Sequence, residues 1–228
     1  MHTEAVTQEL LETLETLMGW PELDKFCLVG GTSIALRHGY RSSDDIDLFT
    51  STPYDSNATS ERLRDFLDGC TIGSVSPGSI TAFCRGIKLD ILQHVYPALQ
   101  PDESVGAIRM ASLSDISAMK INALSRRGAK KDFSDLLYLH QHAKISLTQS
   151  VQNYTRKYGD EGLLHAVMSL TDFSLTKGEP DPRYLNGWTW DSVRKQMTGL
   201  GKDVQAHYNQ LWLKERKRQR DQDFPDRR

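Results

Sequence analysis

Asp45 and Asp47 stand two residues apart in the run Asp44-Asp-Ile-Asp-Leu-Phe49. Strand side chains alternate faces, so the two carboxylates share one face while Ile46 and Leu48 point into a core. Like charges this close raise each other's pKa unless a cation lies between them. Hard divalent cations take oxygen ligands, and Mg²⁺ commonly combines one or two carboxylates with substrate phosphates. Upstream, Gly30-Gly-Thr-Ser33 opens a helical run, Ile34-Ala-Leu36. Glycines between a strand and a helix let backbone N–H groups approach a phosphate, and the helix N-terminus is positively polarised. Singly, a Gly-Gly turn or an Asp-x-Asp is more often structural. In this order and this close together they point to metal-assisted chemistry on a nucleoside triphosphate.

The elements that must position these groups follow from the surrounding pattern. A strand is expected at 25–29, the glycine turn and its helix run to Gly39, and a second strand covers 46–49. A helix is expected at 59–67 and a turn-rich stretch at 73–78. Strands near 80–84 and 87–95 are joined by Arg85-Gly86 as a hairpin. Asp90 lies between Leu89 and Ile91 in the last of these. An aspartate there is costly to bury unless it is paired or binds metal, which makes it a candidate third carboxylate. Residues 97–111 read as a loop or short edge segment. Ser114 is a candidate cap for a helix over 115–126, and Asp132 for the helix that follows Gly128. Further helices are expected at 147–157, 161–170, 191–200 and 204–219.

The wording Val29-Gly-Gly-Thr-Ser-Ile-Ala-Leu36 and Arg41-Ser-Ser-Asp-Asp-Ile-Asp-Leu-Phe49 resembles the AbiEii/AbiGii toxin family of bacterial nucleotidyltransferases. That family lies within the superfamily that includes DNA polymerase beta. Lys88-Leu-Asp-Ile-Leu92, Asp115-Ile-Ser-Ala-Met-Lys120 and Lys131-Asp-Phe-Ser-Asp-Leu136 extend the resemblance over most of the chain, and Trp188-Thr-Trp190 is similar to a helix start near the end of many members.

The resemblance implies an α/β fold: a small mixed sheet with flanking helices as nucleotidyltransferase core, then a helical part, with the nucleotide in the cleft between them. The expected divisions are 1–112, 113–213 and a charged, flexible tail at 214–228. Asp45, Asp47 and Asp90 would hold Mg²⁺ or Mn²⁺. Backbone N–H groups from Gly30 and Gly31 through Thr32 and Ser33, with the Ser33 hydroxyl, would hold the β and γ phosphates of ATP or another triphosphate. Lys120 would reach the triphosphate as a point charge. Arg41 has two expected uses, a phosphate contact or a pair with Asp44. Ser43 is a turn serine or an acceptor hydroxyl. Asp132 is mainly structural, orienting Arg126 or Lys120, and Asp135 stays open. The implied acceptor is RNA, the 3′ end of tRNA among the candidates, or a protein, with a cognate antitoxin as partner. Two alternatives remain at this level: a kinase-like phosphotransferase on the same fold, and a nucleotide-binding module without chemistry.

Composition narrows the class. The chain has 228 residues, 38% hydrophobic and 25% charged, with a formal net charge of −2. This suits a globular protein and argues against a wholly basic nucleic-acid coat. No apolar run approaches the ~20 residues a membrane helix needs. The acidic amphipathic start lacks signal-peptide features, and Cys27, Cys70 and Cys84 are widely spaced, so a cytoplasmic protein with reduced thiols is expected. Arg126-Arg127 with Lys130-Lys131 forms a local basic cluster that could meet RNA.

Overall fold

The computed structural model describes residues 1–223. Helix α1 (Gln8–Met18) is capped by the Thr7 hydroxyl and buries Leu10, Leu14 and Leu17. Strand β1 shrinks to Cys27–Leu28, because α2 (Gly30–His38) begins directly after Val29. Gly39, left-handed at φ 65°, ends that helix. Strand β2 (Asp45–Thr50) buries Ile46 and Leu48 completely and leaves Asp45, Asp47 and Phe49 on the other face partly open. Each such buried side chain contributes about 1.5–3 kcal/mol.

Helix α3 spans Ser56–Phe66. The stretch expected to be turn-rich is instead the edge strand β3 (Cys70–Ser76), with a register shift at Ile72/Ser74 that accommodates Gly73. Strands β4 (Ser79–Cys84) and β5 (Ile87–Gln93) form the expected hairpin. Its two turn residues both have positive φ, 54° at Arg85 and 80° at Gly86, the geometry that matches strand twist in a two-residue loop. Cys70 and Cys84 face each other across β3 and β4 and are joined as a disulfide, which corrects the reduced-thiol expectation for these two; Cys27 is free and buried. A second hairpin, β6 (Glu103–Val105) and β7 (Ile108–Met110), lies in the stretch expected as a loop or short edge segment, with β6 at the sheet edge.

The sheet order is β3-β4-β5-β2-β1-β7-β6, with β2 parallel to β5 and β1 parallel to β7. This is a mixed α/β fold, as expected. Leucines of α1, with Leu63 of α3, join Leu28, Ile46, Leu48, Leu89 and Ile91 in one core. A second core lies within the C-terminal helices: α4 (Leu113–Arg127), α5 (Lys130–His142), α6 (Leu147–Tyr158), α7 (Leu163–Ser169) and α8 (Trp190–Asp223). A third cluster, with Val29, Ile34, Tyr40, Ile116 and Leu139, joins the sheet side to the helices. Among the described residues no helix is long and apolar enough to cross a membrane.

Several helix boundaries differ from the sequence reading. The cap of α4 is Ser112, whose hydroxyl accepts from the Asp115 N–H at 3.1 Å. Asp132 is not a cap; Ala129 holds that position and the Asp132 carboxylate is spent on ion pairs. The two helices expected at 191–200 and 204–219 are one helix, α8, running through Gly199 and Gly201 to Asp223. Of the tail expected from 214, residues to 223 continue α8, and residues 224–228 lie outside the described region.

Candidate active site

The register of β2 and β5 places Asp47 directly beside Asp90, and Asp45 beside Lys88. Alternation then puts Asp45, Asp47 and Phe49 of β2 and Lys88, Asp90 and Leu92 of β5 on one sheet face. Helix α2 begins at that face. The Val29 N–H donates to the Asp47 carbonyl at 2.9 Å. No side chain caps the start of α2, so its first N–H groups keep their capacity for an anion.

The two glycines make room for two different side chains. Gly30 has φ 70°, and a Cβ there would overlap the Asp47 carboxylate. A Cβ at Gly31 would overlap the Arg41 guanidinium. The Thr32 hydroxyl, buried, donates to the Asp45 carbonyl and can accept from the Ser43 hydroxyl at 2.8 Å, and so pins the segment before β2 to the helix. The Ser33 hydroxyl is fully buried and accepts from Arg37, whose Nη2 also donates to the Ala111 carbonyl at 2.8 Å. The expectation that this hydroxyl faces phosphate is corrected: it faces the Arg37 network, and only backbone N–H groups remain for a phosphate at this turn.

Behind the carboxylate face lies a buried ion network. The Arg41 Nε donates to Asp135 Oδ1 at 2.8 Å and its Nη2 to Oδ2 at 2.9 Å. Asp135, not Asp44, is thus the partner of Arg41. The Lys120 Nζ lies 2.5 Å from Asp135 Oδ2 and 3.0 Å from Asp132 Oδ1. Arg127, not Arg126, takes the other side of Asp132, its Nε 2.8 Å from Oδ2. Burial alone would raise the Asp135 carboxyl, but Arg41 and Lys120 outweigh it and hold it well below the usual carboxylate range. Asp132 is also lowered against its burial, by Lys120 and Arg127. The chain thus joins the α2–β2 loop, α4 and α5 through charge. Lys130, which sequence placed with Arg126, Arg127 and Lys131 in one basic cluster, is buried on the Glu179 carbonyl and Asp181, and Lys131 lies 3.5 Å from Asp45 Oδ2.

Asp47 is different. Burial is the largest influence on it and raises its pKa, Lys120 lowers it, and Asp90 and Asp45 raise it further. Asp90 accepts from the Thr81 hydroxyl at 2.7 Å and from Lys88 Nζ at 2.5 Å. Among the described residues no three His, Cys, Asp or Glu side chains are drawn together as a finished metal cluster. The side chains of Lys88 and Lys131, 43% and 41% exposed, instead place their ammonium groups against Asp90 and Asp45. An all-oxygen set of mutually repelling carboxylates with displaceable lysine partners fits a hard divalent cation.

Above this floor is a cleft of about 370 Å³. Gly30, Asp47 and Asp90 line one part; Phe49, Leu92, His94 and Tyr158 line another; Met119, Lys120, Asn122, Arg126 and Arg127 of α4 form the roof. Phe49 stacks on His94, with centroids 5.3 Å apart. Burial, then Lys157, lowers the His94 pKa to about 4, so the ring is neutral near pH 7. The alternation that paired Asp45 with Asp47 could have put Phe49 and Lys88 on the same face. Thr81 and Tyr158 carried no such signal, because a neighbouring strand and a distant helix bring them in. Asp115, quoted with Lys120 from sequence, is instead buried on Lys157 at 2.6 Å and on the N–H groups of Leu99 and Gln100, fixing the chain after β5.

The model of the AbiEii family, described as nucleotidyl transferase AbiEii toxin of a type IV toxin–antitoxin system, matches residues 14–203. An uncharacterised protein of Aquifex aeolicus is 32% identical over 176 residues, covering 75% of this chain and 85% of its own. Among solved structures, JHP933 from Helicobacter pylori superposes with a TM-score of 0.52 at 14% identity, over 94% of this chain and 99% of its own. The nucleotidyltransferase toxin MenT4 of Mycobacterium tuberculosis H37Rv superposes with a TM-score of 0.50 at 12% identity, over 86% of each chain. At such identities the two structures speak for the fold.

Proposed function

The chain belongs to the AbiEii family of nucleotidyltransferase toxins, and we propose that it moves a nucleoside monophosphate from a triphosphate to the end of an RNA acceptor. The observation that carries this reading is the set Asp45, Asp47 and Asp90 on one sheet face, with Asp47 and Asp90 in the cleft at the uncapped start of α2 and under the cationic side of α4.

The backbone N–H groups that begin α2 would take oxygens of the β and γ phosphates, with the helix dipole behind them. Asp45, Asp47 and Asp90 would hold a divalent cation, Lys88 and Lys131 moving into solvent as it enters. That cation, when bound, supplies Lewis-acid stabilisation of the attacking and leaving oxygens. Lys120, fixed between Asp132 and Asp135, contributes positive potential beside Asp47, where negative charge builds on the leaving group. The acceptor hydroxyl oxygen would form its bond to the α phosphorus, the bond to the bridging β-phosphate oxygen would break, and pyrophosphate and the hydroxyl proton would leave. A cognate antitoxin belongs to the same proposal through the family.

The test uses triphosphates labelled at the α or the γ phosphate, offered with Mg²⁺, cellular RNA and cellular protein. We expect α-label in the RNA, release of pyrophosphate, and no transfer by Asp45→Asn. Movement of γ-label alone would make the enzyme kinase-like. Absence of both transfers would leave a binding module.

A further inference from the structure

The cleft continues past Tyr158. Asn122, Arg126 and Tyr158 also line a second groove of about 400 Å³, formed by α4, α6, the chain after β5 and the turn before α7. Aromatic rings dominate its wall. Tyr96 meets Tyr158 edge-on with centroids 4.6 Å apart, and Tyr154 lies 5.3 Å from Tyr158. Tyr154 and Tyr158 are braced by their hydroxyls, one on the Glu161 carbonyl at 3.3 Å and the other on His94 Nε2 at 3.1 Å. Tyr96 is 41% exposed, a large apolar ring held against its neighbours while open to solvent.

Charge completes the pattern. Arg126 is exposed, and among the described residues no carboxylate is within ion-pair distance of it. Its neighbour Arg127 is clamped on Asp132. Burial raises the pKa of both Tyr154 and Tyr158, and the nearby guanidinium of Arg126 opposes that rise. Glu161 is the single carboxylate among the lining residues. An uncommitted guanidinium beside braced and open aromatic rings is the combination that binds single-stranded nucleic acid, with bases on the rings and phosphate on the cation. The groove opens into the cleft at Tyr158, whose hydroxyl meets His94 just beyond the strand that carries Asp90.

We infer that this tyrosine-lined groove is the track along which the single-stranded end of an RNA acceptor reaches the cleft. The inference rests on the nucleotidyl-transfer reading, and its test separates the two. Binding of a short fluorescent single-stranded RNA is measured by anisotropy for the wild type, Tyr96→Ala, Tyr96→Phe and Arg126→Gln. Stabilisation by Mg²⁺-triphosphate is measured in parallel for the Tyr96 variants. Loss of one stacked base should raise the Kd of Tyr96→Ala by roughly tenfold, while Tyr96→Phe, which keeps the ring, stays near wild type. Arg126→Gln should flatten the salt dependence by somewhat less than one unit of slope. Triphosphate stabilisation should be the same in Tyr96→Ala as in wild type. Unchanged RNA affinity in Tyr96→Ala and Arg126→Gln, with α-label still entering RNA, would overturn the groove and spare the transfer reading. Weakened triphosphate stabilisation in Tyr96→Ala would overturn it too, assigning the ring to the nucleotide. Wild-type protein that binds no RNA and labels only protein would overturn both.

Discussion

Asp135 is fully buried between Arg41 and Lys120, whereas Asp90 meets Lys88 near the cleft rim, with the lysine 43% exposed. Both are carboxylate–cation contacts, yet they obey different physics. In the interior, a charge stripped of its partner cannot recover hydration, so each member of the Arg41–Asp135–Lys120–Asp132 chain needs the others. At the rim, water and salt compensate readily, and such a pair is worth ~0–1 kcal/mol. The first region can hold geometry and the second can exchange partners. A site that must admit a cation and a triphosphate needs both, a fixed background and a floor whose lysines can leave.

The comparison is broken most severely by removing the buried acid. Asp135→Ala should lose about 3–5 kcal/mol, as expected for one partner of a buried pair, read from the denaturant midpoint. The pH dependence has a definite sign. Asp132 and Asp135 have depressed pKa values in the folded protein, so their stabilisation is present above the unfolded-state value near 3.9. It fades as pH falls through the folded values. Acidification below about pH 4 should therefore cost the wild type this stability, and Asp135→Ala should show a smaller acid-dependent loss.

Asp47→Asn tests the other region. Changes to groups merely behind a metal ligand cost about 10–100-fold, so losing the carboxylate itself should reduce transfer by more than about a hundredfold. Its effect on the fold should be opposite to that of Asp135. Burial, with Asp90 and Asp45 nearby, makes the Asp47 charge unfavourable. Its raised pKa means that folding is penalised as pH rises through the carboxylate range. The neutral amide removes that penalty, and the melting temperature without ligand should stay the same or rise by a few degrees, since ~1 kcal/mol is about 2–4 °C at this size. A clear fall in melting temperature would place Asp47 with the scaffold.

Gly30→Ala strains a left-handed backbone and pushes on Asp47 at once. It should cost about 1–3 kcal/mol, with triphosphate stabilisation reduced more than stability itself. Lys88→Met is the mildest change. Without the ammonium, Asp90 is free for a cation, and the apparent Kd for Mn²⁺ should tighten by up to about fivefold, the upper value of an exposed pair. Weaker Mn²⁺ binding would mean that Lys88 helps to build the site.

Much of this contrast was legible in the chain. Alternation in Asp45-Ile-Asp47 and Leu89-Asp-Ile91 is local, and a fully buried Ile46 leaves its neighbours no other face. The glycine turn, its helix and the Arg85-Gly86 hairpin are local signals too. The buried network was not legible, because Arg41 and Asp135 are 94 residues apart and either reads alone as a surface charge. Gly31 gave the same difficulty: its lack of a side chain looks like a phosphate approach, while the structure fills that space with Arg41. Turn composition concealed β3, whose Gly73 sits at a register shift and whose pairing comes entirely from β4.

The most direct measurement is Mn²⁺ binding in the presence of a non-hydrolysable triphosphate, followed by the paramagnetic resonance signal of free Mn²⁺. Wild-type protein should deplete that signal. The Asp45→Asn/Asp47→Asn double variant should leave it nearly unchanged while its circular dichroism spectrum matches wild type. Equal depletion by the folded double variant would contradict the assignment of the carboxylate floor as the cation and triphosphate site.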